Sequence, residues 1–175
     1  MSELVLISGS GRGLGASIAK SFVNNGYMVA INYYKSKEKA EKLAQELGES
    51  ASAFCADVSD MDQVKNMIEE IETKFNQSPS ILVNNAMTEY VFNGDERKFA
   101  DEISWDEISQ HLDVTLKGSL NLIQALIPSM KENSHGRIIN IGTNLVQNPV
   151  VPYHDYTIAK AALLGLTRTF AKDLG

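Results

Sequence analysis

Five short runs of apolar, β-prone residues punctuate this chain, and longer segments with helical periodicity alternate with them. That alternation constrains the fold more than any other feature. The runs are 3–8 (ELVLIS), 27–33 (YMVAINY), 52–58 (SAFCADV), 80–86 (SILVNNA) and 136–142 (GRIINIG). The first helix follows a glycine-rich stretch and ends at Gly26. Segment 36–48 sets Ala40, Leu43, Ala44 and Leu47 on one helical face and stops at Gly48, a residue suited to a C-terminal cap. Asp60 is placed to cap a helix with the stripe Val64, Met67, Ile68, Ile71 and Phe75. SWDE (104–107) has the pattern of a capping box and opens a long helix to about Met130. A last helix runs from about 155 to the end, and 87–103 is polar and aperiodic.

Apolar strands alternating with helices predict an α/β chain, with a parallel sheet covered on both faces in three layers, α/β/α. Right-handed crossovers leave few topologies. The glycine-rich first turn selects the doubly wound, Rossmann-type order 3-2-1-4-5. With 175 residues, 43% of them hydrophobic, one domain over 1–175 has material for a sizeable core. A net charge of −6, without a basic run, argues against nucleic acid as a partner. The single Cys55 precludes an internal disulfide and fits a reducing compartment. The strand pattern begins within three residues of Met1, with no leader or membrane span visible. A cytoplasmic protein without a membrane partner is expected, and no metal site.

Sheets of this kind bind ligands at the carboxyl ends of their strands. Gly9 to Gly15, Asp57, Asn84 to Met87 and Gly142 to Thr143 all fall there. In SGSGRGLG (8–15), between the first strand and the first helix, the glycines permit a tight turn. They also let the backbone approach a pyrophosphate at the helix N-terminus. The segment ending the second strand, INYYKSK (31–37), lacks the carboxylate that usually binds a ribose 2′-hydroxyl. Arg12, Lys35 and Lys37 instead offer cations suited to a 2′-phosphate, so NADP(H) is expected rather than NAD(H).

Glycines at 9, 13 and 15 after Ser8 resemble the T-G-x-x-x-G-x-G pattern of the short-chain dehydrogenase/reductase family, with Ser for Thr. Asp57–Val58 resembles its adenine-contacting pair, and NNAM (84–87) its N-N-A-G. INIGT, followed thirteen residues later by Tyr156 and then by Lys160, resembles its catalytic Ser and Y-x-x-x-K. The likeness spans the chain and is strongest to the 3-oxoacyl-carrier-protein reductase branch. It implies a nicotinamide-dependent oxidoreductase acting on a carbonyl or secondary alcohol. The cofactor would meet Ser8, Gly9, Ser10, Arg12, Gly13, Leu14, Gly15, Asn32, Tyr33, Lys35, Asp57, Val58, Asn84, Ala86, Tyr156 and Lys160.

Tyr156 and Lys160 are four apart, so a helix puts them on one face. A phenol with an ordinary pKa of about 10 is a poor proton donor–acceptor near neutrality, and an adjacent ammonium favours its phenolate. By the resemblance, Tyr156 protonates the carbonyl oxygen while hydride reaches its carbon. Lys160 tunes Tyr156 and binds the nicotinamide ribose. Thr143 stands for the family's Ser, whose hydroxyl meets the substrate oxygen. Thr115 stands for the helix Asn that supports the lysine through a water, and is expected on an inward stripe with Ile108, Leu112 and Ser119.

Met87 replaces the last glycine of N-N-A-G, and His154 is expected at the surface. Segments 87–103 and 144–154 are expected to line the substrate pocket. Family members continue with further strands, so the chain reads as truncated after the catalytic helix, and the full protein as a homo-oligomer, dimer or tetramer. The changes at Thr115, Thr143 and Met87 leave a second expectation: a catalytically impaired dinucleotide-binding sensor or scaffold.

Overall fold

The computed structural model describes residues 2–175. Five strands form one parallel sheet: β1 (Leu4–Ile7), β2 (Met28–Tyr33), β3 (Ala51–Cys55), β4 (Ile81–Asn84) and β5 (Arg137–Asn140). Their order is β3-β2-β1-β4-β5, the expected doubly wound arrangement. Register pairs Leu4 with Met28, Val5 with Ile81 and Ile81 with Arg137, so the strands end nearly level and their carboxyl ends make a common rim.

Side chains alternate across the sheet. Leu4, Leu6, Ala30 and Leu82 face one helical layer, α3 (Met61–Phe75) and α5 (Gly118–Glu132), and pack with Val64, Met67, Leu122 and Leu126. Val5, Ile7, Val29, Ile31 and Val83 face the other, α1 (Gly13–Asn24) and α2 (Lys37–Leu47), with Ala19, Ala40 and Leu43. Each face removes a continuous apolar surface from water, the main stabilising term of such a fold. The strands are one to three residues shorter than their apolar runs. Segments such as Asp57–Val58 turn away at the rim.

Two terminal features follow the sequence closely. Asp60 caps α3, accepting from the backbone of Asp62 and Gln63. Ser104 and Glu107 form a reciprocal capping box at α4 (Trp105–Leu112). The long helix expected from there is not uniform. A π-helical turn, Asp113–Lys117, joins α4 to α5, and such turns are frequent at functional sites. The last helix, α6, spans His154–Leu174. β5 departs from the fully buried strand expected: as an end strand it leaves Ile139 43% exposed.

Candidate active site

The glycine loop is built by close approach. Gly9 and Gly13 have φ of +61° and +57°, a region that favours glycine. A Cβ on Gly15 would lie 2.6 Å from Asn85 Nδ2, 2.7 Å from Ser10 Cα and 2.8 Å from the Gly9 carbonyl. The Ser8 hydroxyl accepts from the Asn85 and Ala86 amides at 3.0 Å each, tying β1 to the end of β4. Asn85 Nδ2 donates in turn to the carbonyls of Ser8 (2.9 Å) and Gly9 (3.1 Å). These contacts hold the loop flat while Gly13 and Leu14 start α1 at the surface, with Leu14 59% exposed. A helix N-terminus presented this way suits a phosphate.

Other expected cofactor residues lie along the same rim, several with their side chains engaged inside the protein. Ser10 donates its hydroxyl to the Ile7 carbonyl at 2.7 Å. Asn32 accepts from the Gly9 amide at 3.0 Å and donates to the Ala56 carbonyl at 3.1 Å. Tyr33 is buried, and desolvation pushes its phenol pKa up. The Asp57 carboxylate accepts from the Ser59 amide (2.9 Å) and hydroxyl (2.7 Å). Buried Val58 leaves no room for a side chain at Gly118, where a Cβ would sit 2.6 Å from Val58 Cγ2. Asn84 Nδ2 donates to Asn140 Oδ1 at 2.8 Å. Beyond β2 come the exposed Tyr34 and Lys35, with the Lys35 ammonium 5.7 Å from the Tyr34 ring centroid. Arg12 is exposed and 4.0 Å from Glu89, and Lys37 pairs with Glu41 at 3.7 Å.

Tyr156 and Lys160 occupy the first two turns of α6. The Lys160 ammonium lies 5.9 Å from the Tyr156 ring centroid and donates to the Ile141 carbonyl, just past β5, at 2.6 Å. Lys160 is 4% exposed, and burial pushes its pKa down to about 8. Thr143 follows in extended conformation and caps a short 3₁₀ turn, Asn144–Val146, accepting from the Leu145 amide at 3.3 Å. Thr115 is buried within the π-helical turn, its carbonyl accepting from the Ser119 hydroxyl at 2.7 Å. Leu112 is only half-buried, and His111, 4% exposed, takes the inward place on that stripe instead. His154 is half-buried.

A group absent from the sequence reading surrounds Tyr156. Tyr90 stacks on its ring and Phe92 meets it edge-on, with centroids 5.8 and 5.4 Å away. Tyr90 donates to buried Asp155 at 3.1 Å, and Tyr153 accepts from the Gly94 amide at 2.8 Å. Burial, reinforced by Asp155, pushes the Tyr90 phenol pKa up. Burial pushes His111 down, although Asp155 opposes it. Two signals in the sequence point here: an acid directly before Tyr156, and a His four residues before Thr115 on the same helical face.

A parallel sheet in this order, with a glycine cradle at its first crossover and a Tyr–Lys pair on the same rim, defines a doubly wound, Rossmann-type α/β protein. The chain belongs to the short-chain dehydrogenase/reductase family, whose profile, described as short chain dehydrogenase, matches residues 3–175. It is 37% identical over 179 aligned positions to the 3-oxoacyl-[acyl-carrier-protein] reductase FabG of Staphylococcus aureus, covering 99% of this chain and 69% of that protein. A 3-ketoacyl-(acyl-carrier-protein) reductase from Brucella melitensis, solved with NADH, superposes with a TM-score of 0.89 at 30% identity, covering 98% of this chain and 70% of that one. A gluconate 5-dehydrogenase from Burkholderia cenocepacia J2315, solved with NADP and tartrate, gives 0.86 at 30% identity, with 99% and 66% covered. The chain thus spans about two thirds of the length of these relatives. Among the described residues no helix is long and apolar enough to cross a membrane.

Proposed function

We propose that this chain carries the cofactor-binding and catalytic residues of an NADP(H)-dependent oxidoreductase that interconverts a carbonyl compound and a secondary alcohol. Tyr156 is its general acid/base. The observation supporting this most directly is the buried Lys160 ammonium, anchored on the Ile141 carbonyl and 5.9 Å from the Tyr156 ring, on the rim that also carries the glycine loop. An ammonium fixed there stays beside the phenol that would exchange a proton with a substrate oxygen.

The glycine loop and the start of α1 would hold the pyrophosphate, and Lys160 the nicotinamide ribose. Bound NADP(H) supplies or accepts the hydride. Thr143, beyond the end of β5, would present its hydroxyl to the substrate oxygen. Selection of the 2′-phosphate rests on Arg12 and Lys35 and on the absence of a carboxylate where β2 ends. The protein works in the cytoplasm on a small-molecule substrate, as a homo-oligomer.

Titration with NADPH and NADH, then a panel of ketones followed by loss of reduced-nicotinamide absorbance, tests the reading. NADPH should bind more tightly, and Tyr156→Phe should lower kcat by ~10²–10⁴ with cofactor affinity kept. Tight dinucleotide binding without turnover of any carbonyl would instead favour a sensor or scaffold. Full activity in folded Tyr156→Phe would overturn the mechanism.

A further inference from the structure

Asp155 is an unusual neighbour for a general acid. It is 9% exposed, and its two oxygens serve different masters. Oδ1 accepts from the Tyr156 amide at 2.9 Å and from the Tyr90 hydroxyl at 3.1 Å. Oδ2 is 3.4 Å from His111 Nε2, which is itself 3.0 Å from the Thr88 hydroxyl. The carboxylate therefore gathers the loop after β4, α4 and the first turn of α6. Its place in the first turn of α6 also puts it at the positive end of that helix.

Such a group is expensive to bury, and a well-packed apolar residue in its place is often no worse for stability. What an apolar residue could not do is hold Tyr90. The Tyr90 ring stacks on Tyr156, with centroids 5.8 Å apart and planes 18° from parallel, and is itself 4.9 Å from the His111 ring. With its hydroxyl fixed on Asp155, Tyr90 becomes a rigid wall against one face of Tyr156, while Phe92 closes another at 83°. Asp155 reaches Tyr156 twice, through the backbone amide and through the stacked ring.

We propose that Asp155 is a positioning residue for Tyr156, acting through Tyr90 and the Tyr156 amide, with His111 facing its second oxygen. The proposal rests on the catalytic reading of Tyr156 given above. Near-attack geometry is sensitive to small displacements, so loosening this wall slows the chemical step without weakening cofactor binding.

The test uses the full-length protein with NADPH and the variants Tyr90→Phe, Asp155→Asn and Asp155→Ala. Tyr90→Phe removes one oxygen and keeps the ring. It should lower kcat about tenfold with the NADPH dissociation constant unchanged, and the bond lost from buried Asp155 should lower the melting temperature by a few degrees. Asp155→Asn keeps an acceptor for both donors and should fall between wild type and Asp155→Ala. A merely structural role predicts lower melting temperatures and normal kcat in the folded fraction. Normal kcat in Tyr90→Phe would overturn the proposal, and this variant carries the test if Asp155→Ala does not fold.

Wild-type protein that turns over no carbonyl would sink the catalytic reading alone. Positioning is then read by ¹⁹F NMR on protein labelled with 3-fluorotyrosine, the Tyr156 resonance being assigned by its loss in Tyr156→Phe. Tyr90→Phe should shift and broaden that resonance. An unchanged line would refute the clamp.

Discussion

Lys160 carries a cost that can be measured apart from activity. Its pKa is pushed from the ordinary 10.5 to about 8 by burial. Between those values the unfolded chain binds more protons than the native one, so stability rises with pH across this window. Below about pH 8 both states are charged and the full penalty applies. At ~1.4 kcal/mol per unit it comes to about 3 kcal/mol near pH 7. Lys160→Met replaces the ammonium with an unbranched side chain of similar reach. It removes the penalty but strands the Ile141 carbonyl, at a cost of ~1–3 kcal/mol. A net stabilisation of about 1 kcal/mol near pH 7 is expected, together with loss of turnover.

The pH dependence discriminates better than the sign. By about pH 9 roughly a third of the wild-type penalty is relieved, so the gap between wild type and variant should move by about 1 kcal/mol in favour of wild type. Urea unfolding of both cofactor-free proteins at about pH 7 and pH 9, followed by circular dichroism, measures it. Parallel pH dependences would refute the reasoning: Lys160 would then titrate alike in folded and unfolded chains.

Two further outcomes follow from the rim. Gly15→Ala places a methyl within 2.6–2.8 Å of Asn85, Ser10 and Gly9, and should cost ~1–3 kcal/mol and weaken NADPH binding, read by thermal melting and titration. Gly165→Ala in the exposed middle of α6 meets nothing within 4 Å and should stabilise by ~0.5–1 kcal/mol, the control for methyl addition as such. At Thr143, replacement by Ser should keep turnover and replacement by Val should lose it. A Thr143→Val protein with unchanged kcat would leave the hydroxyl only its bond to the Leu145 amide.

The strand order, both helical layers and the caps at Asp60 and Ser104 were legible because each depends on local pattern: apolar period, a glycine turn, a side chain within three residues of the backbone it caps. The placement of Tyr156 and Lys160 on one helical face was legible for the same reason. The wall around Tyr156 was not. Tyr90 and Asp155 are 65 residues apart, and nothing in an aperiodic loop announces which ring will reach back to α6. His111 was only half hidden, since it stands four residues before Thr115 on the same helical face. Periodicity offered Leu112 for the inward face, and only the packed geometry of α4 and its π-helical turn decides between two adjacent positions. Asn32 and Ser10 show a third limit. Their positions were readable, but the sequence did not say that their side chains would turn inward to brace the loop.

The anchors along α6 explain why a costly buried ammonium can be tolerated. At its start, Asp155 binds the loop through Tyr90 and faces α4 through His111. One turn on, Lys160 is fixed to the Ile141 carbonyl. Further along, the Thr167 hydroxyl accepts from Asn140, whose own side chain accepts from Asn84, a chain running back to the ends of β5 and β4. Each anchor ties a different turn of the helix to a different part of the rim. A single tether would let the helix pivot and swing Tyr156 across the mouth of the site. Anchors spread over three turns resist pivoting and so fix where Tyr156 and Lys160 stand on the rim. The polar network and the buried charge belong together: the network fixes the helix, and the fixed helix keeps the ammonium on the Ile141 carbonyl, beside the Tyr156 ring.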